Sequence, residues 1–131
     1  MAANTRAILA AALLCTAPLA LAASVACHVD YGGETQTLIA TPVADPYAVK
    51  AVAFGSYFLF RIVVRDKPAD LASVKIYTYA DRDDGPAPIH QATHPWPPLA
   101  SGPWGFTGLH HVYEPVRDSE LRYWCELKGE P

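Results

Sequence analysis

From residue 25 onward, apolar and polar side chains alternate with a period of two, the repeat of a strand with one face buried. In 25–31 the apolar phase holds Val25, Cys27, Val29 and Tyr31. Gly32-Gly33 then supplies the positive φ of a two-residue hairpin turn, and a second strand follows over 34–40. Pro42 and Pro46 interrupt the chain before a third strand at 49–54, and Gly55-Ser56 turns it into a fourth at 57–64. That fourth run, Tyr57-Phe58-Leu59-Phe60-Arg61-Ile62-Val63-Val64, is nearly continuous in aromatic and β-branched residues and is expected at the centre of the fold.

Alternation resumes over 73–80, with Val74, Ile76 and Thr78 on one side and Lys75, Tyr77 and Tyr79 on the other. Asp81-Arg82-Asp83-Asp84-Gly85 reads as a turn into a short strand at 89–93, after which 95–105 is a loop rich in Pro, Gly and Trp. The last pair spans 108–114 and 120–127, and Leu121, Tyr123, Cys125 and Leu127 share a face. Apart from a single turn at 68–73, no helical period follows the first 22 residues. The pattern predicts an all-β fold, a small antiparallel sandwich or barrel of about seven or eight strands.

The opening of the chain follows a different pattern. Arg6 precedes an Ala/Leu run over 7–14, and Ala20-Leu21-Ala22 is the small-x-small pattern that signal peptidase cuts. Residues 1–22 therefore read as a secretory signal peptide whose apolar stretch is too short to span a bilayer. The expected product is a single exported β domain, 23–131, in a bacterial periplasm or secreted outright. Its removal takes one positive charge from a net charge of −3. A mildly acidic chain without a basic cluster is not built for nucleic acid or anionic lipid, and no second apolar segment predicts a membrane span. Met1 and Asn4 are the only Met and Asn, so methionine-rich copper handling and N-glycosylation of the product are excluded by composition.

Cys27 and Cys125 remain as an even pair in an exported domain, which predicts one disulfide joining the first and last strands. Lipidation of Cys27 is the competing reading, but a lipobox wants an aliphatic residue where Ser24 stands. Tyr123-Trp124-Cys125 carries the Tyr-x-Cys of immunoglobulin strand F. No Trp follows shortly after Cys27, however, and the spacing from Asp118 to Tyr123 does not match, so no family is assigned.

Five histidines, His28, His90, His94, His110 and His111, raise zinc or copper binding in an exported protein. His90 and His94 lie near Pro88 and Pro95, where a helix is excluded; on a strand they share a face about 13 Å apart. His110 and His111 face opposite ways on one strand. A metal site would require His28, His90 or His94, and one of His110 and His111 to converge from separate strands. The acidic run at 81–85 lacks the spacing of an EF-hand, because Gly85 stands fifth. No serine lies in a Gly-x-Ser-x-Gly elbow, and the disulfide leaves no thiol nucleophile in the product.

The most distinctive segment runs from His94 to Phe106, where Trp96, Trp104 and Phe106 lie among prolines that stiffen the backbone and glycines that permit tight turns. Preordered aromatic side chains suit recognition of a partner surface at low entropic cost. The alternative is a lid, with both tryptophans folded over one end of the core. Trp124 alternates with Cys125 and points outward, and Tyr113 is a further neighbour of this kind. The sequence thus points to an exported, non-catalytic binding or accessory domain that recognises another envelope or secreted protein through Trp96, Trp104, Phe106, Tyr113 and Trp124. A zinc or copper protein using the histidines is the second reading, and a small hydrolase the third.

Overall fold

The computed structural model describes residues 3, 11–17, 19, 21–99 and 102–131. Arg6, the first half of the apolar run of the expected leader, and Ala20 lie outside the described residues, as do Ala100 and Ser101 in the aromatic loop.

The eight strands are β1 (Ser24–Tyr31), β2 (Glu34–Ala40), β3 (Val52–Phe54), β4 (Phe58–Arg65), β5 (Ser73–Arg82), β6 (Gly85–Pro95), β7 (His110–Glu114) and β8 (Ser119–Lys128). They form two antiparallel sheets, ordered β2-β1-β8-β7 and β3-β4-β5-β6, packed as a sandwich. The inward phases are those read from the sequence. Val25, Cys27 and Val29 of β1 and Leu121, Tyr123 and Cys125 of β8 meet Phe58, Phe60, Ile62 and Val64 of β4 and Val74 and Ile76 of β5. β4 is flanked on both sides, and its inward residues are all buried. No helix among the described residues is long and apolar enough to cross a membrane.

Three elements differ from expectation. β6 begins at Gly85 rather than 89 and contains Pro86 and Pro88. It is an edge strand, so the N–H groups that proline lacks are not needed on its open side. β3 is confined to Val52–Phe54, and β7 starts at His110, two residues later than its alternation indicates.

Cys27 and Cys125 form the disulfide. They stand directly opposite each other on paired strands, with 4.1 Å between Cα atoms, so the bond crosses one ladder instead of joining the two sheets. Beyond it, Ala22 bridges Glu130, and the Glu130 N–H donates to the Leu21 carbonyl. The cut expected after Ala22 would thus fall beside a paired residue.

A second tie lies at the opposite end, where Glu114 takes an inward position on β7 and is wholly buried. Its carboxylate accepts hydrogen bonds from the Val116 and Arg117 amides at 3.1 and 3.0 Å, from Arg117 Nε at 2.9 Å and from Arg82 at 3.4 Å. Burial pushes this carboxyl up, but the bonds from Arg117, from the two amides and from Arg82 prevail and bring it down to about 2. Arg117 also donates to the Asp81 and Tyr57 carbonyls and lies over the Tyr57 ring, clamping the β7–β8 turn of one sheet to the ends of β4 and β5 in the other.

Candidate binding surface

The aromatic loop leaves β6 in the strand's own alternation. Ala92 and His94 face inward, and Trp96 continues that phase and packs partly buried against the core. The chain then swings across to β8. Gly105 pairs with Cys125, the Phe106 N–H donates to the Cys125 carbonyl at 3.0 Å, and the Cys125 N–H donates to Thr107 Oγ1 at 2.8 Å. Gly105 has φ +61, and a Cβ there would overlap the Cys125 carbonyl oxygen. Only glycine permits this approach of backbone to backbone.

The turn is closed by the Gly108 N–H on the Trp104 carbonyl, which leaves Trp104 on the outer face of β8, 47% exposed. Its ring meets Trp124 edge to face, with centroids 5.9 Å apart. Trp124 in turn stacks on His28 at 4.1 Å, an interplanar angle of 24°. His28 is fixed from two sides: Nε2 donates to Glu126 at 2.7 Å, and Nδ1 bonds Thr37 Oγ1 at 3.0 Å. The hydrogen bond from Lys128 holds the Glu126 carboxyl below its ordinary range; partial burial opposes this, and His28 reinforces it. Between loop and strand runs a groove of about 510 Å³, bordered by Leu99, Pro103, Phe106, Trp124, Glu126 and Leu127. The surface is an apolar floor with exposed Leu99 and Trp104 at the top and a charged rim at one side.

Of the expected aromatic residues, then, Trp104 and Trp124 come together outside the core, and the others do not join them. Phe106 is 8% exposed and belongs to the core, edge to face with His94 at 5.3 Å. The Gly105–Cys125 pairing turns it inward, so it forms the groove's base but is not a free anchor. Trp96 follows the lid reading. Tyr113 is exposed but stands opposite Glu120, four residues along β8 from Trp124 and so about 13 Å away, where its hydroxyl donates to Asp118. That bond raises the Tyr113 hydroxyl above its ordinary range. His28 is the partner that the sequence reading assigned to metal instead.

The remaining histidines divide between two places. His90 and His94 on β6 and His110 on β7 face inward at the seam where the two sheet edges meet. His90 Nε2 shares a hydrogen bond of 2.6 Å with the Tyr123 hydroxyl, and its ring lies 5.3 Å from that of His110. His110 stacks on Tyr123 at 5.0 Å, and its Nε2 donates to the Thr107 carbonyl at 2.9 Å. Burial lowers His90 and His94 below the usual imidazole range, with His110 adding to it, and burial pushes the Tyr123 hydroxyl up. His111 lies on the outer face, bonded to Glu120 at 2.6 Å. His28 lies on the outer face of the first sheet and the seam histidines lie between the two sheets, so the convergence that a metal site required does not occur. Among the described residues, no group of three or more His, Cys, Asp or Glu is placed to hold a metal ion.

No known family model matches this chain, and no characterised protein or solved structure matches it either.

Proposed function

We propose that this chain is an exported, non-catalytic binding domain that recognises another protein of the cell envelope through the surface built from Trp104, Trp124 and His28. The observation that carries the reading is the placement of Trp104: a large, half-exposed aromatic residue held in one position by a loop bonded to β8, outside the core. Two tryptophans so held lose little side-chain freedom on binding, and Trp is among the residues that dominate interface energetics. The charged groups beside them, Glu126 and Lys128, suit the polar rim of such a contact. The disulfide and the signal-like leader support a site of action in the periplasm or beyond.

The test is site-specific photo-crosslinking from position 104 in intact cell envelopes, with the captured polypeptide identified and then purified. Trp104→Ala should weaken its binding about 30-fold, the loss typical of a hot-spot aromatic, while leaving the melting temperature of the domain unchanged. A partner bound equally well by the Trp104→Ala variant, or a variant that no longer melts cooperatively, would overturn the reading.

A further inference from the structure

The outer face of the second sheet carries a separate concavity. On β4 the outward residues are Leu59, Arg61, Val63 and Arg65; on β5, Lys75 stands opposite Val63 and Tyr77 opposite Arg61. Strand geometry places the three cations within about 13 Å of one another. Single 3-10 turns at Pro46–Ala48 and Ala69–Leu71 border them, enclosing about 460 Å³ with Tyr47 and Asp70 on the walls. That volume is in the range of small-molecule sites.

The three cations are not equivalent. Arg61 serves the fold: its Nε donates to the Val49 carbonyl at 2.8 Å, it bonds the Pro46 carbonyl, and its guanidinium lies 5.3 Å from the Tyr77 ring centre. It thereby anchors the wall that carries Tyr47. Arg65 and Lys75 make no ion pair among the described residues, and Asp70 does not approach either within bonding distance. Arg65 Nε is buried without an acceptor, so the fold itself gives this nitrogen no partner. Like charges left unpaired in one concavity, on a chain of net charge −3, call for an external anion. Tyr47, 91% exposed at the rim, offers a flat apolar face beside them.

We propose that this concavity binds a small ligand with an oxyanionic group on a sugar-like ring, a sugar carboxylate or a sugar phosphate. The Arg65 fork and Lys75 take the anion, and Tyr47 lies against the ring. The two sources share one chemistry and are separated by titrating the full chain with a hexuronate, a hexose phosphate and the neutral hexose, followed by amide chemical shifts. One of the two acids should saturate the sites on β4 and β5, and the neutral hexose should bind at least about tenfold more weakly. Arg65→Gln and Lys75→Gln should each weaken binding at least about tenfold, and raising salt from about 50 to about 300 mM should weaken it severalfold. Arg122→Gln, which removes a cation from the other sheet, and Trp104→Ala should leave it unchanged. Retained affinity in both Arg65→Gln and Lys75→Gln with spectra of a folded domain, equal binding of the neutral hexose, or no saturation by either acid at about 20 mM would overturn the proposal.

Discussion

Reduction of the Cys27–Cys125 bond is the perturbation whose size the structure predicts most directly. The two cysteines are 98 residues apart in sequence, so the bond closes nearly the whole domain into a loop. In the chain-entropy model a loop of that length constrains the unfolded ensemble by about 4.7 kcal/mol. The native side changes little, because β1 and β8 pair at three positions on either side of the bond and hold the thiols opposite each other when it is open. Reduction therefore acts chiefly on the unfolded state, and for a domain of this size the loss approaches its whole expected net stability of about 5 kcal/mol. The assay is urea unfolding followed by tryptophan fluorescence, with and without a phosphine reductant. The midpoint should fall by most of its value, and the slope should rise as the released chain exposes more surface. Cys27→Ala/Cys125→Ala should fall further, by roughly 1–2 kcal/mol, because two buried sulfur atoms are also removed. A reduced protein within about 1 kcal/mol of the oxidised one would refute the argument. It would mean that the unfolded chain already keeps its ends together, or that oxidised native geometry is strained.

The clamp at the other end makes a separate prediction: Arg117→Ala removes the bonds to Glu114, Asp81 and Tyr57 and should lower the melting temperature by more than about 10 °C, with Arg117→Lys unable to restore it because one ammonium cannot reach all three. Glu114, held at about 2 in the folded state, contributes stability that is complete above the ordinary carboxylate range and lost as pH falls towards 2. Glu114→Gln should flatten that acid limb in pH-dependent melts. His90 and His94 act in a higher window: lowered from 6.5, they take up protons less readily folded than unfolded, so stability declines as pH falls below 6.5. His90→Gln/His94→Gln should remove the decline, and an unchanged slope would show that other groups cause it. Gly105→Ala, which drives a Cβ into the Cys125 carbonyl, should abolish the hydrogen-exchange protection of the Phe106 amide.

Most of the sandwich was legible because alternation on a half-buried strand is a local signal. β1, β5 and β8 carry it almost without interruption, β2 follows from the Gly32-Gly33 turn, and the paired cysteines add the one long-range constraint that alternation lacks. If Cys27 faces Cys125 on paired antiparallel strands, then His28 must face Trp124, and the stacked pair at the heart of the aromatic surface follows from that register. β6 was shortened because Pro86 and Pro88 forbid an interior strand but not an edge one, and strand order is not a local property. Phe106 was misplaced because its direction is set by the Gly105–Cys125 pairing, a contact between residues twenty apart. Glu114 left a readable trace: it falls on the inward phase of His110–Glu114, with Arg117 three residues on. A lone acid on an apolar phase needs a partner, and that argument would have found the clamp. The cationic concavity was only half visible, since the outward phases of β4 and β5 name its residues but not the turns that enclose it.

The disulfide and the proposed binding surface are not independent, because Cys125 belongs to both. Its sulfur holds β8 to β1; its amide and carbonyl hold the aromatic loop through Thr107 and Phe106. The outer face of the same stretch of β8 presents Trp124, against which Trp104 rests. A loop hung from the most constrained residue of the domain loses little freedom on binding, so the orientation of Trp104 is established during folding and not at the moment of contact. On the proposed reading, the same arrangement ties binding to oxidising surroundings. With the bond open and most of the net stability gone, the local openings of β8 that release the loop become more frequent while the folded sandwich is still the major species. Partner recognition through Trp104 and Trp124 should therefore weaken on reduction under conditions in which the sandwich is still folded. On the proposed reading, export would do more than deliver this domain, since it would complete the geometry on which binding depends.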